Sequence, residues 1–181
     1  GSKALGALLT RTGRTPARFV TVPAIYFSAF HPDFIATTST QAGRRFPCNS
    51  AICAWSYNRG LEPRDALRLY NKRTFASLGY LSRWESSVNT LRAGFDRAGL
   101  DFDRFYLAAK REGAFMYTVN HPKATVLTWL AKMVAIALGA DASVWRKEIL
   151  FADALARVEI WPVYPDVAGE LALPGSYTWM V

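Results

Sequence analysis

The sequence predicts an α/β chain that is mainly helical, with about six helices and a small sheet of two or three short strands. Three observations predict it. Apolar residues recur at helical spacing over 81–98 and again over 126–138. β-Branched and aromatic residues concentrate in two short runs, 19–30 and 114–119. Glycine and proline punctuate the remainder, at Pro32, Gly43, Pro47, Gly60, Pro63, Gly79, Gly99 and Gly139. With 181 residues, 51% of them hydrophobic and 20% charged, the chain is neither disordered nor fibrous and can bury a substantial core.

The elements follow in order. Residues 3–18 are small, basic and aperiodic, and read as a loop or a poorly formed helix. Phe19 to Phe30 has the composition of a buried strand, although Pro23 favours an edge or broken one. Residues 31–48 read as loop. Asn49 or Ser50 can cap a helix carrying Ile52, Trp55 and Ser56 that ends near Gly60. Pro63 suits the first turn of the next helix, where Leu67, Tyr70, Phe75 and Leu78 approximate helical spacing until Gly79. Leu81, Trp84, Val88, Leu91, Phe95 and Ala98 form the strongest stripe, with Ser82 and Glu85 spaced as a capping box and Gly99 as the stop.

Asp101 or Asp103 can start a short helix through Phe105, Tyr106 and Ala109, and Ala114 to Val119 reads as a strand. His121-Pro122 opens a helix with Val126, Leu127, Leu130, Met133, Val134 and Leu138, stopped by Gly139. Ser143 can cap a further helix over Trp145, Ile149, Leu150 and Leu155. The tail, rich in proline and aromatics, is expected to drape over the body with one short helix near Val167–Leu171.

Gly1-Ser2 reads as a cloning remnant, and residues 3–181 as a single domain, the C-terminal part of a longer protein. The longest apolar run, Val126 to Ala140, is interrupted by Lys132 and falls short of the ~20 residues of a bilayer span. With no secretory signal visible, a cytoplasmic protein is expected. The two cysteines, Cys48 and Cys53, exclude a disulfide scaffold. Their five-residue spacing does not suit a zinc knuckle, so no metal is expected. They are expected to pack as small apolar groups, with a catalytic Cys48 beside His31 as the alternative.

The net charge of +8 is unevenly spread. Residues 1–75 hold 11 basic side chains and three acidic ones, Asp33, Glu62 and Asp65, whereas residues 76–181 are balanced. Such asymmetry points to an anionic partner, with a merely solvated surface as the alternative. Gly43-Arg44-Arg45, following four hydroxyl residues, is the best anion site. Arg64, Arg68 and Lys72 line one helix face. Phosphate-loop, dinucleotide-binding and nucleophile-elbow signatures are absent from the sequence.

Both histidines follow predicted strands and precede proline, in Phe30-His31-Pro32-Asp33 and Asn120-His121-Pro122-Lys123. Histidine can serve as general base or acid near neutral pH. Asp33 could orient an imidazole, and Asn120 a ligand; alternatively each group only caps the helix that follows. Tyr26, Tyr57, Trp161, Tyr164 and Trp179 are not placed by any periodic pattern and could stack on a base or a sugar.

Four segments together resemble a known family: Pro23-Ala24-Ile25-Tyr26-Phe27-Ser28-Ala29-Phe30-His31-Pro32-Asp33, the Asn120-His121-Pro122 motif with its helix, Pro162-Val163-Tyr164-Pro165-Asp166, and Leu173-Pro174-Gly175-Ser176-Tyr177. In this order they resemble the C-terminal part of the WcbI-type polysaccharide biosynthesis proteins. The family's N-terminal strand and Gly-Asn-Cys-Gln loop have no counterpart here.

The resemblance implies an acetyltransferase of bacterial capsule assembly that uses coenzyme A or acetyl-coenzyme A and acylates a sugar hydroxyl. His31, Asp33, Asn120 and His121 match by motif. His31 or His121 would be the base and Asp33 its orienter. Arg44, Arg45, Asn120, Lys123 and Tyr26 would bind the cofactor. The expected partners are coenzyme A and a sugar or polysaccharide acceptor. Nucleic acid ranks lower, because no RNA-recognition or helix-turn-helix pattern is present. Two rival readings stand beside it: a non-catalytic polyanion-binding module, and a protein-interaction module completed by a missing N-terminal segment or a partner chain.

Overall fold

A computed structural model describes residues 19–36, 40–41, 44–45, 48–149 and 151–180; the side chains of residues 40, 41, 44, 45 and 48 lie outside that description. The reading of residues 3–18 therefore falls outside the described residues. The architecture is mainly helical with small antiparallel sheets, as the sequence predicts.

The chain enters through residues 19–30, which alternate in burial: Pro23, Ile25, Phe27 and Ala29 point inward while Thr21, Ala24 and Tyr26 face out. This is strand periodicity without a strand. Among the described residues its one strand-like bond to the body is Phe27 N–H to the Val119 carbonyl, 2.8 Å, so the expected strand is an extended segment instead. The presumed loop 31–48 differs in the other direction. β1 (Phe34–Ala36) pairs antiparallel with β4 (Cys48–Ser50), and β2 (Thr40–Gln41) pairs with β3 (Arg44–Arg45) further out on the same excursion.

α1 (Ala51–Asn58) starts where expected. Ser50 is its N-cap, accepting the Cys53 N–H at 3.0 Å. The single helix expected over 63–78 is two, α2 (Pro63–Leu67) and α3 (Lys72–Ser77). Asn71 intervenes and caps α3 through the Thr74 N–H, 3.0 Å. α4 (Arg83–Ala98) buries Leu91 and Phe95 and ends at Gly99 in the left-handed region, φ 67°. Its expected capping box does not form, because the Ser82 hydroxyl donates back to the Gly79 carbonyl, 3.2 Å. α5 (Phe102–Arg111) is capped by Asp101 through the Arg104 N–H, 3.0 Å.

β5 (Met116–Thr118) pairs with β6 (His121–Pro122), so His121 belongs to a strand rather than opening a helix. α6 (Ala124–Ala137) follows, with Lys123 at its N-cap. The helix expected after Ser143 is only 3₁₀ turns at Ala142–Arg146 and Ala154–Arg157, each capped by an aspartate, Asp141 and Asp153. α7 (Pro165–Glu170) is the tail's one helix.

The core gathers the inward residues of 25–30 with Phe95 of α4, Phe102 and Phe105 of α5, Phe115, Val126 of α6 and Val167 of α7. Phe27 sits at its centre, with ring centroids 4.9–5.2 Å from Phe30, Trp84 and Phe115. Tilted and edge-on rings such as these add roughly 0.5–1.5 kcal/mol per pair beyond the area they bury.

The tail closes over this core as expected. Trp161 N–H meets the Tyr117 carbonyl of β5 at 2.9 Å, and Ser176 N–H meets the Val163 carbonyl at 2.9 Å. Gly175 makes that return possible. A Cβ there would lie 2.5 Å from Pro165 Cα and 2.9 Å from Ala168 Cβ. Gly175→Ala is therefore expected to cost roughly 1–3 kcal/mol through overpacking against backbone. A thermal midpoint equal to wild type would show that the tail has room to move. Among the described residues no helix is long and apolar enough to cross a membrane.

Candidate functional site

Three separated stretches build an aromatic-lined cleft. The β4–α1 junction supplies Asn49, Ser50 and Cys53; the end of α2 and its loop supply Leu67 and Tyr70; the tail supplies Trp161, Tyr164, Tyr177 and Trp179. Its volume is about 490 Å³. Five aromatic rings dominate the walls. Trp161 and Trp179 meet edge to face at 4.0 Å, and Tyr164 packs against both Tyr70 and Tyr177 at 5.4 Å. Tyr177 and Trp179 keep nearly half their surface exposed, so each has ring area open to a ligand.

The polar groups of the cleft form a short chain. Cys53 Sγ lies 3.0 Å from the Tyr70 hydroxyl, which also bonds the Ser50 hydroxyl. Burial first, and then the bond to Cys53, push the Tyr70 phenol well above its ordinary pKa. It stays a protonated donor at neutral pH. Tyr177 donates to the Tyr70 carbonyl at 3.2 Å. The Cys53 thiol is free and exposed, which corrects the expectation that it packs as a buried apolar group.

Beneath the cleft floor lies Asp33, fully buried. Its Oδ1 accepts the Ile52 N–H of α1 at 3.1 Å and the Tyr80 hydroxyl at 2.9 Å; its Oδ2 accepts the Tyr164 hydroxyl at 3.0 Å. The Asp33 carbonyl also accepts the Ala51 N–H, 2.8 Å. Burial, followed by the negative charge of Asp33, raises the phenols of Tyr80 and Tyr164 far above their usual range, which keeps both as donors. Asp33 thus ties the start of α1 to Tyr164 of the cleft wall and to Tyr80. On the opposite face of α1, Ala51, Ile52, Trp55, Leu69, Leu78 and Tyr80 line a second, mostly apolar cavity of about 310 Å³.

His31 does not reach either space. It is 2% exposed, and its ring sits edge-on to Phe30 behind the tail segment that carries Pro162. Neither ring nitrogen completes a hydrogen bond. Burial drives its pKa down to about 4, against a weaker upward pull from the Pro162 and Met116 carbonyls. His31 is consequently neutral at pH 7.

These features meet a clear relationship. The WcbI polysaccharide biosynthesis enzyme profile matches residues 6–143. The chain belongs to the WcbI family. The match takes in β1 to α6 and ends within the 3₁₀ turn after α6, including both histidine motifs. A solved WcbI structure, described as a novel polysaccharide biosynthesis enzyme in its native form without a disulfide bond between coenzyme A and a cysteine, shares the fold at a TM-score of 0.67 and 19% identity. The alignment covers 94% of this chain and 57% of that one, so the chain spans little more than half the length of that WcbI. No curated protein matches the chain.

In this WcbI-family chain the described residues singled out by sequence as catalytic or cofactor-binding fall in separate places. His121 is half-buried on β6, and its Nδ1 is buried without a partner. Asn120 is exposed and accepts the Thr118 hydroxyl at 3.1 Å. The Lys123 ammonium lies 5.8 Å from the Tyr117 ring centre. The α6 N-terminus beside them is already occupied, because Asp153 Oδ2 accepts the Ala124 N–H at 2.8 Å and the Tyr117 hydroxyl at 3.0 Å. Burial alone would raise the Asp153 carboxyl; these bonds and those from Ala156 and Leu155 outweigh it and hold the carboxyl below the usual range.

Tyr26 faces a different groove with Thr21, Gly94 and Arg97. The backbone of Arg44 and Arg45 forms β3, but their side chains lie outside the described residues. What sequence reasoning missed is the Ser50–Tyr70–Cys53 group and Tyr177. Its partial signal was the set of aromatics left unplaced by periodicity: Trp161, Tyr164 and Trp179 all line the cleft. Among the described residues no group of three or more His, Cys, Asp or Glu side chains could hold a metal ion.

Proposed function

We propose that this chain supplies the ligand-binding part of a coenzyme A-dependent acyltransferase that acylates a hydroxyl of a bacterial polysaccharide. The observation that carries the reading is the aromatic cleft. Rings with open faces beside Ser50, Tyr70 and Tyr177 suit a sugar, which offers apolar ring faces and many hydroxyls to one surface. Family membership supports polysaccharide biosynthesis, and the related WcbI structure named with coenzyme A supports the cofactor.

Coenzyme A, when bound, supplies the activated acyl group. The described residues offer it one place, and the sequence suggests a second. The apolar cavity beside Ile52, Trp55 and Leu78 suits an apolar arm. Arg44 and Arg45 of β3 lie a few residues before β4 and the cleft wall at Asn49 and Ser50, and guanidiniums suit phosphates. Asn120, Lys123 and Tyr26 are not part of either place. His31, sealed and neutral behind the tail segment, is not placed to take a proton from the acceptor. His121 is the histidine that water can reach, but it lines neither the cleft nor the apolar cavity, so no general base is assigned within the cleft.

Binding of coenzyme A tests the cofactor assignment directly. A hundredfold excess over Kd should stabilise the protein by ~2.7 kcal/mol. For a chain of this size that raises the thermal midpoint by roughly 5–10 °C. Arg44→Ala/Arg45→Ala should lose most of the shift while unfolding like wild type without ligand. No shift at millimolar coenzyme A would sink the reading. Equal shifts in both proteins would remove only the phosphate assignment.

A further inference from the structure

The cleft has a charged shoulder that the proposed acyl transfer does not use. Residues 59–73, the segment that brings Leu67 and Tyr70 into the cleft, carry Arg59, Arg64, Arg68, Lys72 and Arg73, all exposed, against Glu62 and Asp65. Lys72 is committed to Glu170 at 2.7 Å, with Asp166 also nearby. Arg59 lies over the Trp55 ring, 5.6 Å from its centre. Arg64 and Arg68 share one carboxylate, Asp65, at 3.9 and 3.3 Å, and their side chains are 83% and 80% exposed. Ion pairs this exposed contribute only ~0–1 kcal/mol, so a ligand carboxylate can displace Asp65 at little cost.

The cleft itself contributes no acidic side chain; its polar lining is hydroxyl, thiol and amide. An uncharged glycan would use the rings and leave the shoulder idle. A single-stranded nucleic acid would meet stacking rings and basic side chains too. However, these rings interleave edge to face and are set among hydroxyls, which favours a hydroxyl-rich ligand over a stacked base.

We infer that the glycan recognised by this cleft is acidic: its rings lie on Tyr177 and Trp179, and its carboxylates reach the guanidiniums of Arg64 and Arg68. Arginine fits this task because its planar fork can take a carboxylate through two parallel hydrogen bonds. The inference rests on the polysaccharide reading above and names the class of sugar.

The test compares tetragalacturonate with its fully methyl-esterified form, which keeps the rings and removes the charge. By calorimetry the acid form should bind about tenfold more tightly, and the advantage should shrink as salt approaches ~1 M, where the screening length is ~3 Å. Arg64→Gln/Arg68→Gln should erase the advantage while leaving binding of the ester and the thermal midpoint unchanged. Alkylation of Cys53 by iodoacetamide, followed by peptide mapping, should slow in proportion to occupancy by the acid tetramer.

Equal affinity for acid and ester would overturn the inference and leave the polysaccharide reading standing. So would acid binding that leaves Cys53 alkylation unchanged, since the ligand would then sit elsewhere. A thymidine tetranucleotide bound as tightly as the acid sugar would overturn it in favour of a general polyanion site. If neither sugar binds while coenzyme A still stabilises the protein, the inference fails alone; if coenzyme A fails as well, the functional reading fails with it.

Discussion

Asp33→Ala is expected to destabilise the protein by about 3–5 kcal/mol, a large part of the ~5–15 kcal/mol that typically holds a domain folded. The reason is the number of donors the carboxylate satisfies at once. Removing it leaves the Tyr80 and Tyr164 hydroxyls and the Ile52 N–H buried around an empty space. Each orphaned buried donor costs about 1–3 kcal/mol, partly relieved by local rearrangement. Tyr80→Phe and Tyr164→Phe remove one donor each and leave the carboxylate with its other partners. They should cost only about 1 kcal/mol apiece.

Urea unfolding of the three variants separates the cases. A midpoint for Asp33→Ala equal to wild type would mean that water or a neighbour replaces the carboxylate. The substitution also loosens Tyr164 and the α1 start, two walls of the cleft, so ligand binding should fall in the folded fraction as well.

Acidification should destabilise the fold through His31. Its folded pKa is about 4, against an ordinary value of 6.5. Below 6.5 the unfolded chain binds a proton that the folded chain refuses until about pH 4. The stability His31 contributes is therefore fully present above pH 6.5 and is lost as the pH falls toward 4. Between pH 7 and pH 5 the loss is about 2 kcal/mol, and over the whole window about 3 kcal/mol. In His31→Gln this component should vanish. Urea unfolding at pH 7 and pH 5 reads it: a variant whose stability falls as steeply as wild type across that interval would show that His31 is not the group responsible.

The cause of that depressed pKa also shows where sequence reading stops. His31-Pro32-Asp33 and His121-Pro122-Lys123 look alike on the page, each at the end of a run of strand-forming residues. In the fold they separate completely. The first is sealed by the tail segment around Pro162, far along the chain, and its aspartate becomes a hydrogen-bonding hub. The second stays half-buried on a two-residue strand, beside a helix end that Asp153 has already capped. Tyr164 and Asp33 are 131 residues apart, and no local pattern predicts such a pair.

Other differences have the same origin. The stripe through 67–78 has helical spacing, but Asn71 takes an N-cap conformation and divides it into α2 and α3. Ser82 stands at the right spacing from Glu85, yet its hydroxyl finds a nearer acceptor in Gly79. The run 19–30 has strand alternation and strand composition but, among the described residues, makes a single strand-like bond to the body. Cys53 was expected inside and lies in the open cleft, because its apolar neighbour Ile52 is the residue that turns toward the core.

By itself the sequence determined the mainly helical class, the helix starts at Asn49 or Ser50 and at Asp101 or Asp103, the stops at Gly79, Gly99 and Gly139, the draped tail and the concentration of charge before residue 75. These features depend on residues within a turn or two of one another, or on composition alone. The tertiary structure alone decided which polar groups are buried and which stretches meet: residues 49–53, 67–70 and 161–179 become one cleft only when the tail folds back over β5. A buried carboxylate, a sealed histidine and a ring-lined cleft all arise from contacts between distant stretches. Their energies come from excluding water across such contacts, and that is a property of the packed chain rather than of any one of its segments.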